Sequence, residues 1–209
     1  MKTWIFVSVA ILAGFCGLAD ARTQTAAASP QALPERERQV FSDYLRGAFL
    51  SDQTVVQLVV ADKTQSHFED ELLEAGDGKP FSWDQITDDL RKTNMQIAAS
   101  SLTSFRDANA HPVALDRIDT LPVPYHLGAE ADYEAIFKHG GGWKDYYKKY
   151  PGAQGFVTLS RAGFSADGKQ ALLYLANHCG GKCGAGTYAV LEKVGSSWKL
   201  IKATSIWMS

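Results

Sequence analysis

The sequence lacks a strong excess of either charge, and this limits the partners it is built to bind. Its 209 residues carry 21 basic and 23 acidic side chains, for a formal net charge of -2. Nucleic-acid-binding domains normally present a clearly basic surface to the phosphates. We therefore expect no nucleic-acid partner. With 45% hydrophobic and 21% charged residues, the composition is that of an ordinary folded globular domain.

Long apolar runs are also scarce, and the one clear example lies at the N-terminus. Lys2 precedes an apolar run over residues 4–18, and Ala19-Asp20-Ala21 follows this run. This order of basic, apolar and Ala-x-Ala segments predicts a secretory signal peptide over residues 1–21, cleaved after Ala21. The run is shorter than the roughly 20 residues that span a bilayer. The mature chain is therefore expected in the periplasm or outside the cell, with no transmembrane segment.

After the signal peptide, composition divides the chain into a leader and one domain. Residues 22–33 are rich in Ala, Thr, Gln and Ser, which is typical of a flexible leader. Residues 34–209 are enough to form one domain with a single hydrophobic core. Apolar residues at helical spacing predict a helix over 35–50, and the region 129–150 is also expected to be helical.

The last part of the chain has the clearest strand pattern. Four strand-like runs occupy 156–164, 170–177, 187–194 and 198–207, and the turn dipeptide Asp167-Gly168 separates the first two. We predict an α+β fold, in which a four-stranded antiparallel meander packs against N-terminal helices. One or two further strands are expected from the N-terminal half. They are the β-branched run 54–60 and the proline-flanked segment 121–125, which suits a sheet edge.

The C-terminal half carries a specific series of motifs. Tyr147-Lys-Lys-Tyr-Pro-Gly152, Leu159-Ser-Arg-Ala-Gly-Phe164 and a glycine-rich hairpin loop at 180–186 follow one another, and Asp62-Lys63-Thr64 stands upstream. Over roughly residues 55–209 the chain resembles a family of uncharacterised exported bacterial proteins. The resemblance implies export and a single domain, and it implies no catalytic residue.

Two cysteines remain after the signal peptide, and they stand close together in the glycine-rich loop. Three residues, two of them glycine, separate Cys179 from Cys183, which allows the two sulfurs to meet. Export to an oxidising compartment favours a structural disulfide that stiffens the hairpin. Two alternatives stay open, a redox-active pair and a metal site that also uses His178.

Other residues near this loop are candidates for binding. Lys182 and the loop glycines suit an anion-binding nest, and Arg161, His178 and Tyr188 lie on neighbouring predicted strands. Arg161 could equally form a buried ion pair or face a ligand. A hydrolase that uses Ser160 with His178 lacks the Gly-x-Ser-x-Gly turn that exposes a serine nucleophile. In the segment 143–150, Trp143, Tyr147 and Tyr150 are expected on one helix face, directed to the core.

These observations lead to two hypotheses of different classes. The first is a monomeric, non-enzymatic domain that binds a small ligand or a protein through the concave side of its sheet or the 178–186 loop. The Cys179–Cys183 disulfide stiffens this loop, and no cofactor or metal is expected. The second is a hydrolase-like enzyme that uses His178 and Arg161 near the loop. It requires their side chains to converge within hydrogen-bonding reach.

Overall fold

A computed structural model describes the chain over residues 33–50, 54–66, 74–75, 79–80, 83–138 and 140–209. The predicted signal peptide and all of the predicted leader except Leu33 lie outside these residues. Within the described ranges, five helices surround a seven-stranded sheet. Leu33 is buried in the core.

The helices and strands follow one another in a mixed order. The helices are α1 (Glu35–Phe49), α2 (Trp83–Lys92), α3 (Ala99–Ala108), α4 (Glu130–Lys138) and α5 (Gly142–Lys149). The strands are β1 (Gln57–Ala61), β2 (Glu74–Ala75), β3 (Lys79–Pro80), β4 (Tyr125–Gly128), β5 (Ala153–Leu159), β6 (Gly163–Phe164), β7 (Gln170–His178), β8 (Ala185–Val194) and β9 (Ser197–Met208).

The main sheet has the strand order β4-β1-β5-β7-β8-β9, and the short β6 pairs with β7. β1 is parallel to both β4 and β5, whereas β5, β7, β8 and β9 are antiparallel to their neighbours. Helices α4 and α5 connect β4 to β5, which supplies the long crossover that parallel strands need. β2 and β3 form a separate antiparallel pair.

One face of the sheet is covered by α1, and we call it the α1 face. Glu35 and Glu37 occupy the first turn of α1, where the helix dipole favours carboxylates. The buried side of α1 carries Val40, Phe41 and Tyr44. Alternate strand residues complete this core, among them Leu58, Val60, Val157, Leu159, Leu173 and Leu191.

The opposite face, which we call the α3 face, is covered by two pairs of helices. Helices α2 and α3 pack over β7 and β8, where Phe105, Tyr174 and Tyr188 are in contact. Helices α4 and α5 cover β1 and β5 through an aromatic cluster around Tyr146 and Phe156. The candidate site includes residues of β1, β5 and the first turn of α4.

The strand β9 forms one edge of the sheet, and two bulges interrupt its pairing with β8. The register skips Ile201 and Ile206, which are therefore the extra residues of the bulges. Lys199 and Lys202 are exposed on the same strand. Bulges and lysines on an edge strand oppose pairing with another chain.

The antiparallel C-terminal strands agree with the prediction, and the helix predicted over 35–50 is confirmed as α1. The sheet is larger than the predicted meander, because β1 and β4 extend it with parallel pairing. The run 156–164 is two strands, not one. Ser160 still donates its amide to the Tyr174 carbonyl oxygen at 2.9 Å, but the Tyr174 amide donates to the Ser160 Oγ, also at 2.9 Å. The segment around 121–125 does supply an edge strand, although β4 begins only at Tyr125.

The aromatic face of α5 also differs in detail from the prediction. Tyr146 is the fully buried residue of this helix, whereas Trp143, Tyr147 and Tyr150 are partly buried beside it. The sequence predicted that residues 143, 147 and 150, at positions i, i+4 and i+7, would form the buried face. In the structure, the residue of this short helix that is directed into the core is Tyr146. Lys144, Lys148 and Lys149 are exposed, as expected.

Candidate functional site

Arg161, a predicted binding residue, is held in an ion pair with Glu37 of α1. Its Nη2 donates to Glu37 Oε2 at 2.8 Å, and its Nε donates to Oε1 at 3.0 Å. The same carboxylate accepts the Ala162 amide at 2.8 Å, and Glu37 is only 1% exposed. The hydrogen bond to Glu37 raises the pKa of Arg161. The guanidinium therefore joins α1 to the segment that follows β5.

His178 and Tyr188 lie on the other face of the sheet. The His178 ring is 5.5 Å from the indole of Trp207, whose Nε1 donates to the Tyr174 hydroxyl at 2.8 Å. Tyr188 is 2% exposed, and its ring lies 5.1 Å from that of Tyr174. The structure thus places His178 and Tyr188 on the α3 face and Arg161 against α1. It does not bring the three side chains into one site.

The hairpin loop between β7 and β8 is closed by a disulfide. The sulfurs of Cys179 and Cys183 are at bonding distance, with 5.5 Å between the Cα atoms. The Tyr147 hydroxyl donates to the Cys179 carbonyl oxygen at 2.8 Å, which attaches the loop to α5. Lys182 is exposed at the tip of the loop. The disulfide and the Tyr147 hydrogen bond both restrain the loop.

The position of His178 predicts a pH dependence of stability. Burial lowers the pKa of His178 below its usual 6.5. The unfolded chain then binds a proton more readily than the folded chain, so the free energy of unfolding falls as the pH drops from 6.5 towards the folded pKa. We expect His178→Phe, which keeps a ring against Trp207, to remove this part of the pH dependence. Urea unfolding between about pH 7.5 and 5.5 measures it, and identical pH profiles for both proteins would contradict it.

A cavity lies where the three parallel strands end. β1, β4 and β5 run in the same direction, so their carboxyl ends meet at one edge of the sheet. Open sheets with parallel strands commonly bind ligands in the crevice outside these ends. The cavity has a volume of ≈ 90 Å³. It is lined by Ala61, Lys63, Thr64, Gln65, Pro112, Glu130, Phe156 and Thr158, and we call it the carboxyl-edge cavity.

Two residues that line this cavity each carry a buried polar atom without a partner. The hydroxyl of Thr158 and the Oε1 atom of Gln65 make no hydrogen bond to any residue that the structure describes. Thr158 is 8% exposed and lies on β5 beside Ala61. The backbone amide of Gln65 donates to the Leu159 carbonyl oxygen at 2.8 Å, and this bond holds Gln65 against the end of β5. Buried polar atoms are nearly always hydrogen-bonded, so these two are exceptions. Both atoms are almost inaccessible to solvent, so other atoms of the two residues face the cavity.

The segment that carries these residues is fixed by its own hydrogen bonds. Thr64 donates its amide to the Val113 carbonyl oxygen at 2.7 Å, and its hydroxyl accepts the Val113 amide at 2.9 Å. Lys63 forms an isolated β-bridge with Ala114. The backbone of residues 63–65 is thus hydrogen-bonded to the end of β5 on one side and to residues 113–114 on the other.

The mouth and the floor of the cavity differ in character. At the mouth, Lys63 Nζ lies 3.0 Å from Glu130 Oε2, and both side chains are about half exposed. The floor is apolar, and its Phe156 ring stacks on Tyr133 with 4.4 Å between centroids. Burial, with a smaller contribution from Tyr147, raises the pKa of Tyr133 to about 12, which keeps this phenol neutral. The cavity therefore combines a neutral interior with a paired, charged rim.

Sequence reasoning did not identify these residues as a site. It noted Asp62-Lys63-Thr64 as part of the family resemblance, but not as a binding segment. The available signal was a polar segment directly after a β-branched strand, which in a parallel arrangement lies at the ligand-binding edge. The remaining lining residues come from other parts of the chain, and only the parallel pairing brings them together.

Among the described residues, no group of three or more His, Cys, Asp or Glu side chains is placed to hold a metal ion. In the same part of the chain, no helix has the length and apolar character needed to cross a membrane.

No known protein family, no curated protein and no solved structure shows a significant match to this chain.

Proposed function

We propose that this chain is an exported, non-enzymatic domain that binds a small polar ligand in the carboxyl-edge cavity. The observation that carries the proposal is a cavity at the carboxyl ends of three parallel strands, lined by apolar residues and by polar residues such as Lys63, Gln65 and Thr158. Ligand sites are typically concave and mostly apolar, with a few polar groups that orient the ligand. In open sheets with parallel strands they commonly lie outside the carboxyl ends of the strands.

Export is supported by two features of the chain. The basic, apolar and Ala-x-Ala order of residues 1–21 is typical of a secretory signal. The bonded pair Cys179 and Cys183 is typical of proteins in oxidising compartments. The bulged, lysine-bearing edge strand β9 supports a monomer.

The alternative of a hydrolase that uses His178 and Arg161 has less support. The Arg161 guanidinium is bound to Glu37, on the face of the sheet opposite His178. Ser160 is 0% exposed, and its hydroxyl bonds to the Arg161 carbonyl oxygen and the Tyr174 amide. These contacts favour binding over hydrolysis.

The binding function predicts that filling the cavity abolishes ligand binding of every kind. Ala61→Leu adds a bulky apolar group to the cavity wall, whereas Ala203→Leu makes the same change on the exposed strand β9. We expect at least one of three small hydroxyl compounds, namely neutral glycerol, cationic ethanolamine or anionic glycolate, to shift the amide resonances of residues 61–65 and 156–158. The shifts should persist in Ala203→Leu and disappear in Ala61→Leu.

The measurement is a two-dimensional amide NMR titration of the mature chain with each compound. If none of the three compounds moves the resonances around the cavity in the unmodified protein, the proposed binding function is wrong. Equal shifts in the unmodified protein and Ala61→Leu would place binding outside the cavity and contradict the proposed site.

A further inference from the structure

We infer that the Cys179–Cys183 disulfide is a site of thiol–disulfide exchange, at which an external dithiol reduces the folded protein by attack on the sulfur of Cys183. This inference uses other residues than the carboxyl-edge cavity, so it stands independently of the proposed binding function. It follows from the unequal accessibility of the two cysteines, the short loop between them, and the hydrogen bonds that hold the neighbouring strands.

The two cysteines differ in how far solvent reaches them. Cys183 is exposed near the tip of the loop, whereas Cys179 is half-buried directly after β7. A Cβ atom on Gly155 would lie 2.7 Å from the Cβ of Cys179, so Cys179 packs closely against β5. The rate of thiol–disulfide exchange depends on which sulfur the incoming thiolate can reach. In this loop that sulfur belongs to Cys183.

Contacts other than the disulfide hold the strands next to the loop. β7 pairs with β8 without interruption from Gln170 to Asn177. At the base of the loop, the Ser209 amide donates to the Gly184 carbonyl oxygen at 2.9 Å. A disulfide that closes so short a loop removes little chain entropy from the unfolded state. We therefore expect the bond to open while the sheet stays folded.

The exchange takes two steps. In the first, a thiolate of the dithiol forms a bond to the Cys183 sulfur, the bond between the two protein sulfurs breaks, and Cys179 leaves as a thiolate. In the second, the other thiolate of the reagent attacks the reagent sulfur of this mixed disulfide and releases Cys183 as a thiolate. The two protons that the reagent gives up end on the two protein sulfurs. The protein disulfide gains two electrons, and the dithiol loses two electrons and becomes a disulfide.

The short spacing of the cysteines favours a dithiol over a monothiol as the reagent. The Cα atoms of Cys179 and Cys183 are 5.5 Å apart, so the released Cys179 thiolate stays beside the mixed disulfide at Cys183. It attacks that bond and expels a monothiol, because an intramolecular group acts at a high effective concentration. A dithiol competes with this return step through its own second thiol, which is intramolecular as well.

Reduction is expected to change the loop and its contact with α5, and to leave the sheet as it is. The Tyr147 hydroxyl donates to the Cys179 carbonyl oxygen at 2.8 Å. The closed loop holds this carbonyl in place, so opening the loop weakens the hydrogen bond. We expect the amide resonances of residues 147 and 178–186 to shift on reduction, and those of residues 170–175 to keep their positions. Loss of the dispersed spectrum would show that the disulfide maintains the fold, and would contradict the inference.

The main test measures reduction of the chain from Arg22 onward by dithiothreitol, with iodoacetamide trapping and mass spectrometry. Cys179 and Cys183 are the only cysteines of this chain. We expect complete reduction at urea concentrations below the unfolding transition, at a rate that urea changes by less than about twofold. A rate that rises with urea in parallel with the unfolded population would show that the bond opens only in the unfolded chain, and the inference would be wrong.

The same measurement with a monothiol tests the class of reagent. At equal thiol concentration, we expect glutathione to leave at least about tenfold less fully reduced protein at equilibrium than dithiothreitol does. Equal reduction by the two reagents would overturn the preference for a dithiol, and with it the inference that the loop re-forms its bond against a monothiol.

Matched single-cysteine variants test which sulfur is attacked. Cys179→Ser keeps only the Cys183 thiol, and Cys183→Ser keeps only the Cys179 thiol. In the folded variants, we expect iodoacetamide to modify Cys183 at least about tenfold faster than Cys179, and in urea that unfolds both, the two rates should agree within about twofold. Equal or reversed rates in the folded variants would refute attack at Cys183.

The unmodified protein provides the same test if either variant fails to fold. A brief reaction with glutathione, stopped by iodoacetamide, traps the mixed disulfide, and trypsin then cleaves after Lys182 and separates the two cysteines. We expect the glutathione on the peptide that carries Cys183. Glutathione found mainly on the Cys179 peptide would overturn the inference.

Discussion

Replacing Arg161 by alanine is expected to lower the free energy of unfolding by about 3–5 kcal/mol. The variant leaves the Glu37 carboxylate, which is 1% exposed, with the Ala162 amide as its one remaining partner among the described residues. A buried charge that loses its ion-pair partner keeps its desolvation cost without compensation. Asn109 still binds the backbone amide and carbonyl of residue 161 at 2.7 and 3.0 Å, so the change isolates the guanidinium. Urea unfolding followed by circular dichroism measures the loss.

The opposite member of the pair provides the control. Glu37→Gln removes the buried charge and leaves Arg161, whose side chain is 23% exposed and within reach of water. We expect this variant to lose less, about 1–3 kcal/mol. A double variant that is more stable than Arg161→Ala alone would confirm that the unpaired carboxylate causes the loss. A cost below about 1 kcal/mol for Arg161→Ala would show that the pair contributes little to stability.

Replacing Gly163 by alanine is expected to cost about 3 kcal/mol or more, at the upper end of the range for overpacked cores. A Cβ atom on Gly163 would lie 2.4 Å from both the amide nitrogen and the Cβ of Phe105. These atoms belong to helix α3, so the whole helix has to move away from β6. Closely packed interiors resist such a shift because every neighbouring contact weakens with it.

The same substitution at another glycine serves as the matched control. Gly47 lies exposed in α1, and a Cβ added there meets no atom within 4 Å. Because alanine restricts the unfolded chain more than glycine does, Gly47→Ala is expected to stabilise the protein by about 0.5–1 kcal/mol. Thermal unfolding of both variants tests whether Gly163→Ala lowers the unfolding temperature and Gly47→Ala raises it. If Gly163→Ala unfolds at the temperature of the unmodified protein, α3 does not pack on β6 in solution.

Local features of the structure were predictable because nearby residues determine them. Pro34 and the acidic first turn define the start of α1, and the apolar spacing that follows defines its buried side. Gly168 and Gly195 adopt positive φ angles of 69° and 63° at the two hairpin turns, as the turn sequences indicate. The Cys179–Cys183 pairing also follows from close spacing in the chain.

Features that join distant parts of the chain were not predictable in the same way. Arg161 reads as a candidate ligand-binding residue until its partner Glu37, which is 124 residues away, is known. The parallel pairing of β1 with β4 and β5 has no local signal, because apolar strands pair in either direction. Without this pairing, Lys63, Glu130 and Thr158 have no reason to be considered together.

The amino-acid sequence by itself determined the main helices, the antiparallel C-terminal strands and the closed loop, since each depends on neighbours within a few residues. The tertiary structure alone decided which polar side chains are satisfied and which residues line the cavity. Arg161 is paired with Glu37 of α1, whereas Thr158 Oγ1 and Gln65 Oε1 are buried without a partner among the described residues. Whether a buried polar atom is satisfied depends on chain segments that meet only after folding.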